Sequence, residues 1–295
     1  MKVVAICVAV IFALYVGLST FGAVKAMAIP RLPLEDSLDS VDLAYEDVAF
    51  TSRDDEVLLK GWYVPGDGDF TIITVHGGFQ NRIDDNVDTL RLAKDLVKKG
   101  YSLLLFDLRG RGESGGRGVT LSNNERDIGG AVDYLKSVGC PAESIGIMGF
   151  CSGAASTCIF ASQENIGALV LDGCFPTVRG MITREATSRG IPRFLLDIFV
   201  PGILLMSKIL YGYEPVDPIT RVADVSCPIL FIHEEDDTLI SLGDNIWLFE
   251  VSANPDDELW EVNGAEHSRG YRMHPAEYVE RVDDFFSTVA KSTSH

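Results

Sequence analysis

The chain has 295 residues, with 25 Lys and Arg against 43 Asp and Glu, for a formal charge of −18. Nucleic-acid binding relies on clustered cations that release counterions, so this balance excludes a phosphate-backbone partner and favours a neutral substrate over an anionic one. The six cysteines form no Cys-x-x-Cys pair and no zinc-like Cys/His spacing, which argues against a disulfide framework and implies no metal or cofactor.

Length and the absence of a fixed repeat predict one large α/β domain behind a leader. Residues 3–24 are almost continuously apolar between Lys2 and Lys25, long enough to cross a bilayer. The extreme N-terminal position and the lack of a polar face argue against a buried core helix. Ala26-Met27-Ala28 also has the small-x-small form of a signal-peptidase site. Segment 1–28 is therefore read as a membrane anchor or a signal segment. The domain is expected outside the cytoplasm, either tethered to a membrane or secreted after cleavage near Ala28. Residues 29–44 are rich in proline and acid and read as a surface linker that forms no element.

The folded domain is expected over 45–295. Runs 46–52 and 56–64, separated by Arg53-Asp54-Asp55, predict an antiparallel hairpin ending at Pro65-Gly66-Asp67-Gly68. Apolar strands then alternate with helices, the pattern of a mostly parallel sheet covered on both faces. A strand over 70–76 runs into His76-Gly77-Gly78-Phe79-Gln80, and a helix over 85–99 stops at Gly100. A strand over 101–107 leads into a glycine-rich loop, 108–116. That loop has neither a Walker pattern nor a dinucleotide fingerprint, so a phosphate-binding reading is rejected. A helix over 124–138 precedes the strand that ends at Phe150. Beyond it come a strand over 166–172, strands over 228–233 and 258–262, and a terminal helix over 275–290 with a frayed tail. Residues 177–213 break the alternation and read as a short helical cap insertion above the sheet. Its apolar residues either pack against the domain or roof a substrate pocket.

The strand ending at Phe150 carries the chemistry. Gly149-Phe150-Cys151-Ser152-Gly153 passes from an apolar run through a glycine-flanked turn into small helix-forming residues. Such a turn holds its central residue in a strained conformation, and the flanking glycines avoid collisions with the neighbouring strand and helix. Centring the motif on Ser152 would put Phe150 and Ala154 where the glycines belong, so Cys151 is the candidate nucleophile. Two later strands end in Glu234-Glu235-Asp236-Asp237 and in Gly264-Ala265-Glu266-His267. Nucleophile, acid and histidine thus follow in that order, each just past a strand, at the edge where α/β sheets gather their chemistry.

These motifs, together with His76-Gly77-Gly78 and the 107–114 loop, resemble the α/β-hydrolase superfamily. The likeness runs from Tyr45 to the terminal helix and is nearest to single-domain bacterial esterase and acyl-peptidase-like hydrolases. The cysteine at the elbow is similar to that of dienelactone hydrolases. The resemblance implies Cys151 as nucleophile, His267 as base and Asp237 as the acid orienting it. It also implies an oxyanion hole from the backbone N–H groups of Ser152 and Phe79. Asp237 is preferred to its neighbour Asp236 because in the family pattern the acid lies four residues after the histidine that closes the strand; Asp172 is a third choice. His76 is expected to shape the oxyanion turn, and Asp107 and Arg109 to organise their own loop.

The family pattern usually has serine where Cys151 stands and glycine where Glu234 stands. A thiolate leaves a tetrahedral adduct readily, so a carboxylic ester, lactone or thioester is the expected acyl substrate rather than an amide. Two other readings use the same fold: acyl transfer to an acceptor other than water, and an inactive membrane-tethered binding protein.

Overall fold

The computed structural model describes residues 1–118 and 123–293. Helix α1, Lys2–Met27, is apolar on every side and largely exposed. Past it, Leu38–Val41 forms a single 3-10 turn, capped where the Ser37 hydroxyl accepts the Asp39 N–H, and Leu38 is fully buried. The linker is therefore not wholly a surface segment, because one leucine pins it to the core.

Strands β1 (Glu46–Thr51) and β2 (Leu58–Val64) form the expected antiparallel hairpin. β3 (Thr71–Val75), β4 (Ser102–Phe106), β5 (Ile145–Phe150), β6 (Ala168–Asp172), β7 (Ile229–Glu234) and β8 (Glu258–Val262) complete an eight-stranded sheet in the order β1-β2-β4-β3-β5-β6-β7-β8. β2 joins β4 antiparallel, and every pairing from β4 to β8 is parallel.

Successive residues of a strand face opposite sides, so continuous apolar runs build a core on each face. Ile73, Leu104, Ile147 and Leu169 pack on one side with α3 (Asn124–Ser137) and α4 (Ser152–Ala161). Ile72, Leu103, Met148 and Val170 pack on the other with α2 (Thr89–Lys98) and α9 (Pro275–Thr293).

The helix expected over 85–99 begins only at Thr89. Side chains hold the preceding stretch in turns, because Asn81 Oδ1 accepts the Ile83 N–H and Asp84 Oδ1 accepts the Asn86 N–H. The cap comprises α5 (Val178–Ser188) and α6 (Arg193–Tyr211). Only part of it packs on the domain: Phe194, Ile198, Leu205 and Ile209 of α6 are exposed, and Tyr15 of α1 stacks on Phe199. Helix α7 (Leu242–Val251) lies outside the expected elements, although Ser241 and Asp244 form a capping box before its apolar run. The short α8 (Gly270–Met273) precedes α9, which continues to Thr293; the last two residues of the expected frayed tail lie outside the described residues.

Candidate active site

The elbow is built by close approach. A Cβ on Gly149 would stand 2.7 Å from the Ala154 Cα, and one on Gly153 would collide with the Val75 carbonyl. Only glycine lets β5 turn at once into α4. The turn forces Cys151 to φ 52°, ψ −115°, a conformation that costs a side-chain-bearing residue about 1–3 kcal/mol. Cys151 is half-buried, whereas Ser152 is buried as the first residue of α4 with its hydroxyl unpartnered. Helix geometry leaves the first N–H groups of α4 without intrahelical acceptors, and that of Ser152 is among them.

β7 and β8 bring the other two groups together. His267 Nδ1 lies 2.6 Å from Asp237 Oδ2, and Asp237 Oδ1 accepts the N–H groups of Leu239 and Ile240 at 2.7 and 2.8 Å. The Asp237 side chain is fully buried, whereas Asp236 is exposed and has its N–H tied to the Ala265 carbonyl. With Asp237 on Nδ1, the ring turns Nε2 towards Cys151. Nε2 is buried with no partner at standard hydrogen-bond geometry, yet Cys151 is near enough to act on it. Burial pulls the His267 pKa down, but Cys151 and Asp237 together outweigh it and hold the imidazole well above its ordinary value.

On the other side of Cys151 runs the His-Gly-Gly turn, with the Gly77 Cβ position 3.7 Å from the Cys151 Cβ. His76 Nε2 accepts the Leu108 N–H at 3.1 Å, so the proton sits on Nδ1, which donates to the Gly77 carbonyl at 2.8 Å. Burial, helped by the Arg111 charge, pushes the His76 pKa down to about 3, and the ring is neutral. His76 thus shapes the turn.

Arg111, to which the motifs assign no role, also holds the turn by donating to the Gly78 carbonyl at 3.2 Å. A trans peptide then directs the Phe79 N–H to the opposite side, and Phe79 itself borders the cavity over Cys151. Asp107 and Arg109 do organise their loop, but through longer reach. Asp107 accepts Arg82 and the Glu113 N–H, and Arg109 bridges Asp127, Asp55 and the Ser52 hydroxyl.

Asp172 does not meet His267 as an acid; it accepts the Tyr278 hydroxyl at 2.6 Å. Beside it stands Glu234, fully buried, and burial first and then the mutual repulsion of the two carboxyls raise the Glu234 pKa well above the ordinary range. Glu234, Asp237 and His267 offer ligand atoms within 4.8 Å of one another, near enough to share a divalent cation, although Asp237 and His267 are already bonded together.

The Glu234 shift has a sign. A carboxyl that stays protonated in the native state while its unfolded counterpart ionises loses the protein stability as pH rises above the ordinary Glu pKa. Glu234→Gln is therefore expected to raise the melting temperature at pH 8 and to leave it nearly unchanged at pH 4. Thermal unfolding at the two pH values checks this, and an equal shift at both would show that ionisation is not the cause.

No family model matches the chain. It is 28% identical over 245 residues to the uncharacterized protein YqkD of Bacillus subtilis (strain 168), covering 80% of this chain and 77% of that one. It is 29% identical over 228 residues to the alpha/beta hydrolase domain-containing protein aho-3 of Caenorhabditis elegans, covering 76% of this chain and 59% of that one. Among solved structures, the Pyrococcus furiosus esterase Pf2001 superposes with a TM-score of 0.76 at 26% identity, covering 89% of this chain and 98% of that one.

Proposed function

We propose that this chain, an esterase-like member of the α/β-hydrolase superfamily, hydrolyses a neutral carboxylic ester or lactone through a thioacyl-enzyme on Cys151. The observation that carries the reading is the meeting of three elements: Cys151 at positive φ on the elbow, and His267 bonded to Asp237 at 2.6 Å with Nε2 turned towards it. His267 Nε2 takes the Cys151 proton, and the thiolate adds to the ester carbonyl, forming the C–S bond. The oxyanion is held by the N–H groups of Ser152 and Phe79. As the C–O bond breaks, the imidazolium gives its proton to the departing alcohol. Water, deprotonated by the same nitrogen, then displaces the thiolate and releases the carboxylic acid. The Asp237 carboxylate stabilises the imidazolium at each turn.

A raised His267 pKa suits this sequence, because the proton must reside on the ring until the alkoxide needs it. We place the enzyme at a membrane through α1, whose apolar surface continues onto the exposed face of α6.

The test is acid-quenched acylation of the full chain with p-nitrophenyl acetate, the modified peptide being located by mass spectrometry. Acyl mass is expected on Cys151 in the wild type and in Ser152→Ala. Acyl mass on Ser152 would overturn the choice of nucleophile, and no acylation with any ester would overturn the hydrolase reading.

A further inference from the structure

The N-terminal helix enters the site. Its Ser19, Ala23 and Met27, spaced one turn apart, are buried, while most of its other side chains are exposed. It is clamped to α6 by glycine contacts from both sides. A Cβ on Gly22 would stand 2.7 Å from Ile203 Cδ1, and one on Gly202 would stand 2.7 Å from the Tyr15 hydroxyl. Small residues at such crossings let helix backbones pack closely. Tyr15 adds a ring stacked on Phe199 at 5.5 Å and a hydrogen bond donated to the Ile198 carbonyl at 3.1 Å. Just past the helix, Arg31 donates to the carbonyls of Gly112 and Ser114 at 3.0 and 2.5 Å. The end of α1 is therefore held from both directions.

That end lies over the nucleophile. Ala26 and Met27 border the apolar cavity at Cys151, together with Met181 and Ile182 of α5 and with Phe175 and Val178. Met27 is 1% exposed, packed as a core residue although it belongs to the leader. The cavity so enclosed is about 80 Å³. An apolar cavity of roughly 150 Å³ takes a benzene ring, so this one has room for about three carbon atoms.

We propose that α1 is a permanent wall of the acyl pocket, with Met27 as the specificity-determining residue, and that the site takes esters of short acids such as acetic, propionic and butyric. The inference rests on the ester-hydrolase reading above and adds its substrate class. It also requires the leader to be retained, since cleavage after Ala28 would remove one side of the pocket.

The test compares kcat/KM of the full chain for p-nitrophenyl acetate, butyrate and octanoate. The wild type is expected to prefer acetate and butyrate to octanoate by at least about tenfold. Met27→Ala, which deepens the pocket, is expected to raise the octanoate-to-acetate ratio by about tenfold or more. Ile182→Ala, at a residue bordering the same cavity, should move the ratio the same way, and Met27→Val, a smaller apolar replacement, decides the matter if Met27→Ala does not fold. Val24→Ala, on the exposed side of α1, should leave the ratio unchanged.

A wild type that accepts octanoate as readily as butyrate, or pocket variants whose ratio does not move while acylation of Cys151 persists, overturns the inference alone. Loss of acylation with every ester overturns the hydrolase reading and this inference with it.

Discussion

Cys151→Ala is expected to lower kcat/KM for a short-chain ester by about 10⁴- to 10⁶-fold, leaving only what the oxyanion donors and binding contribute. Ser152→Ala, one residue away, should stay within about tenfold. The difference follows from what each residue supplies. Cys151 presents a sulfur to His267, whereas Ser152 offers its backbone N–H, which alanine keeps; its hydroxyl is buried without a partner. Stability separates the chemistry from the backbone. Alanine retains a Cβ at φ 52°, so its melting temperature should stay near that of the wild type. Cys151→Gly should be equally inactive yet more stable by about 1 kcal/mol, because glycine adopts positive φ without steric cost. Steady-state kinetics with thermal unfolding of the three variants checks both halves. Substantial turnover by Cys151→Ala would remove the thiol from the mechanism.

What the chain's pattern discloses and what it conceals divide along a physical line. β3 to β7 are legible because strands buried on both faces read as near-continuous apolar runs, with the polar residues confined mostly to their ends. The elbow is legible because the Gly149 and Gly153 contacts tolerate no side chain at all. Asp84 and Asn81, by contrast, delay α2 by bonding to backbone N–H groups nearby, a competition that apolar periodicity does not register.

Glu234 is visible in the chain only as a departure from the usual glycine. Its burial beside Asp172 is a product of the parallel β6–β7 pairing, in which Asp172 pairs with Ile232 and β7 runs two residues further to Glu234. Arg111 lies 33 residues from the Gly78 carbonyl that it holds, so no local motif joins them. The same is true of α1. Its composition announces an apolar helix, but that Met27 should border the cavity over Cys151 follows from the α1–α6 crossing, which is a tertiary fact.

Asp237→Asn is expected to cost about 10⁴-fold in kcat with little change in fold, whereas Asp236→Asn should change activity by no more than about twofold. The hydrogen bonds around the Asp237 carboxylate set the difference. Oδ1 accepts two backbone N–H groups, from Leu239 and Ile240, so an asparagine placed there must keep its carbonyl oxygen on that side. Its NH₂ then faces His267 Nδ1. A nitrogen that receives a hydrogen bond cannot carry the proton, and the ring is forced into the tautomer protonated at Nε2. In that state Nε2 cannot accept the Cys151 proton, and the attack on the carbonyl loses its base.

A second signature follows from charge. After burial, which acts downward, Cys151 and then Asp237 sustain the raised His267 pKa, so removing the carboxylate lets it fall. The acid limb of the pH profile, where the imidazolium must lose its proton before Nε2 can act as base, should therefore shift to lower pH in Asp237→Asn and stay in place in Asp236→Asn. Profiles of kcat/KM for both variants across pH 5 to 10 distinguish the acids, and a larger loss from Asp236→Asn would reverse the assignment.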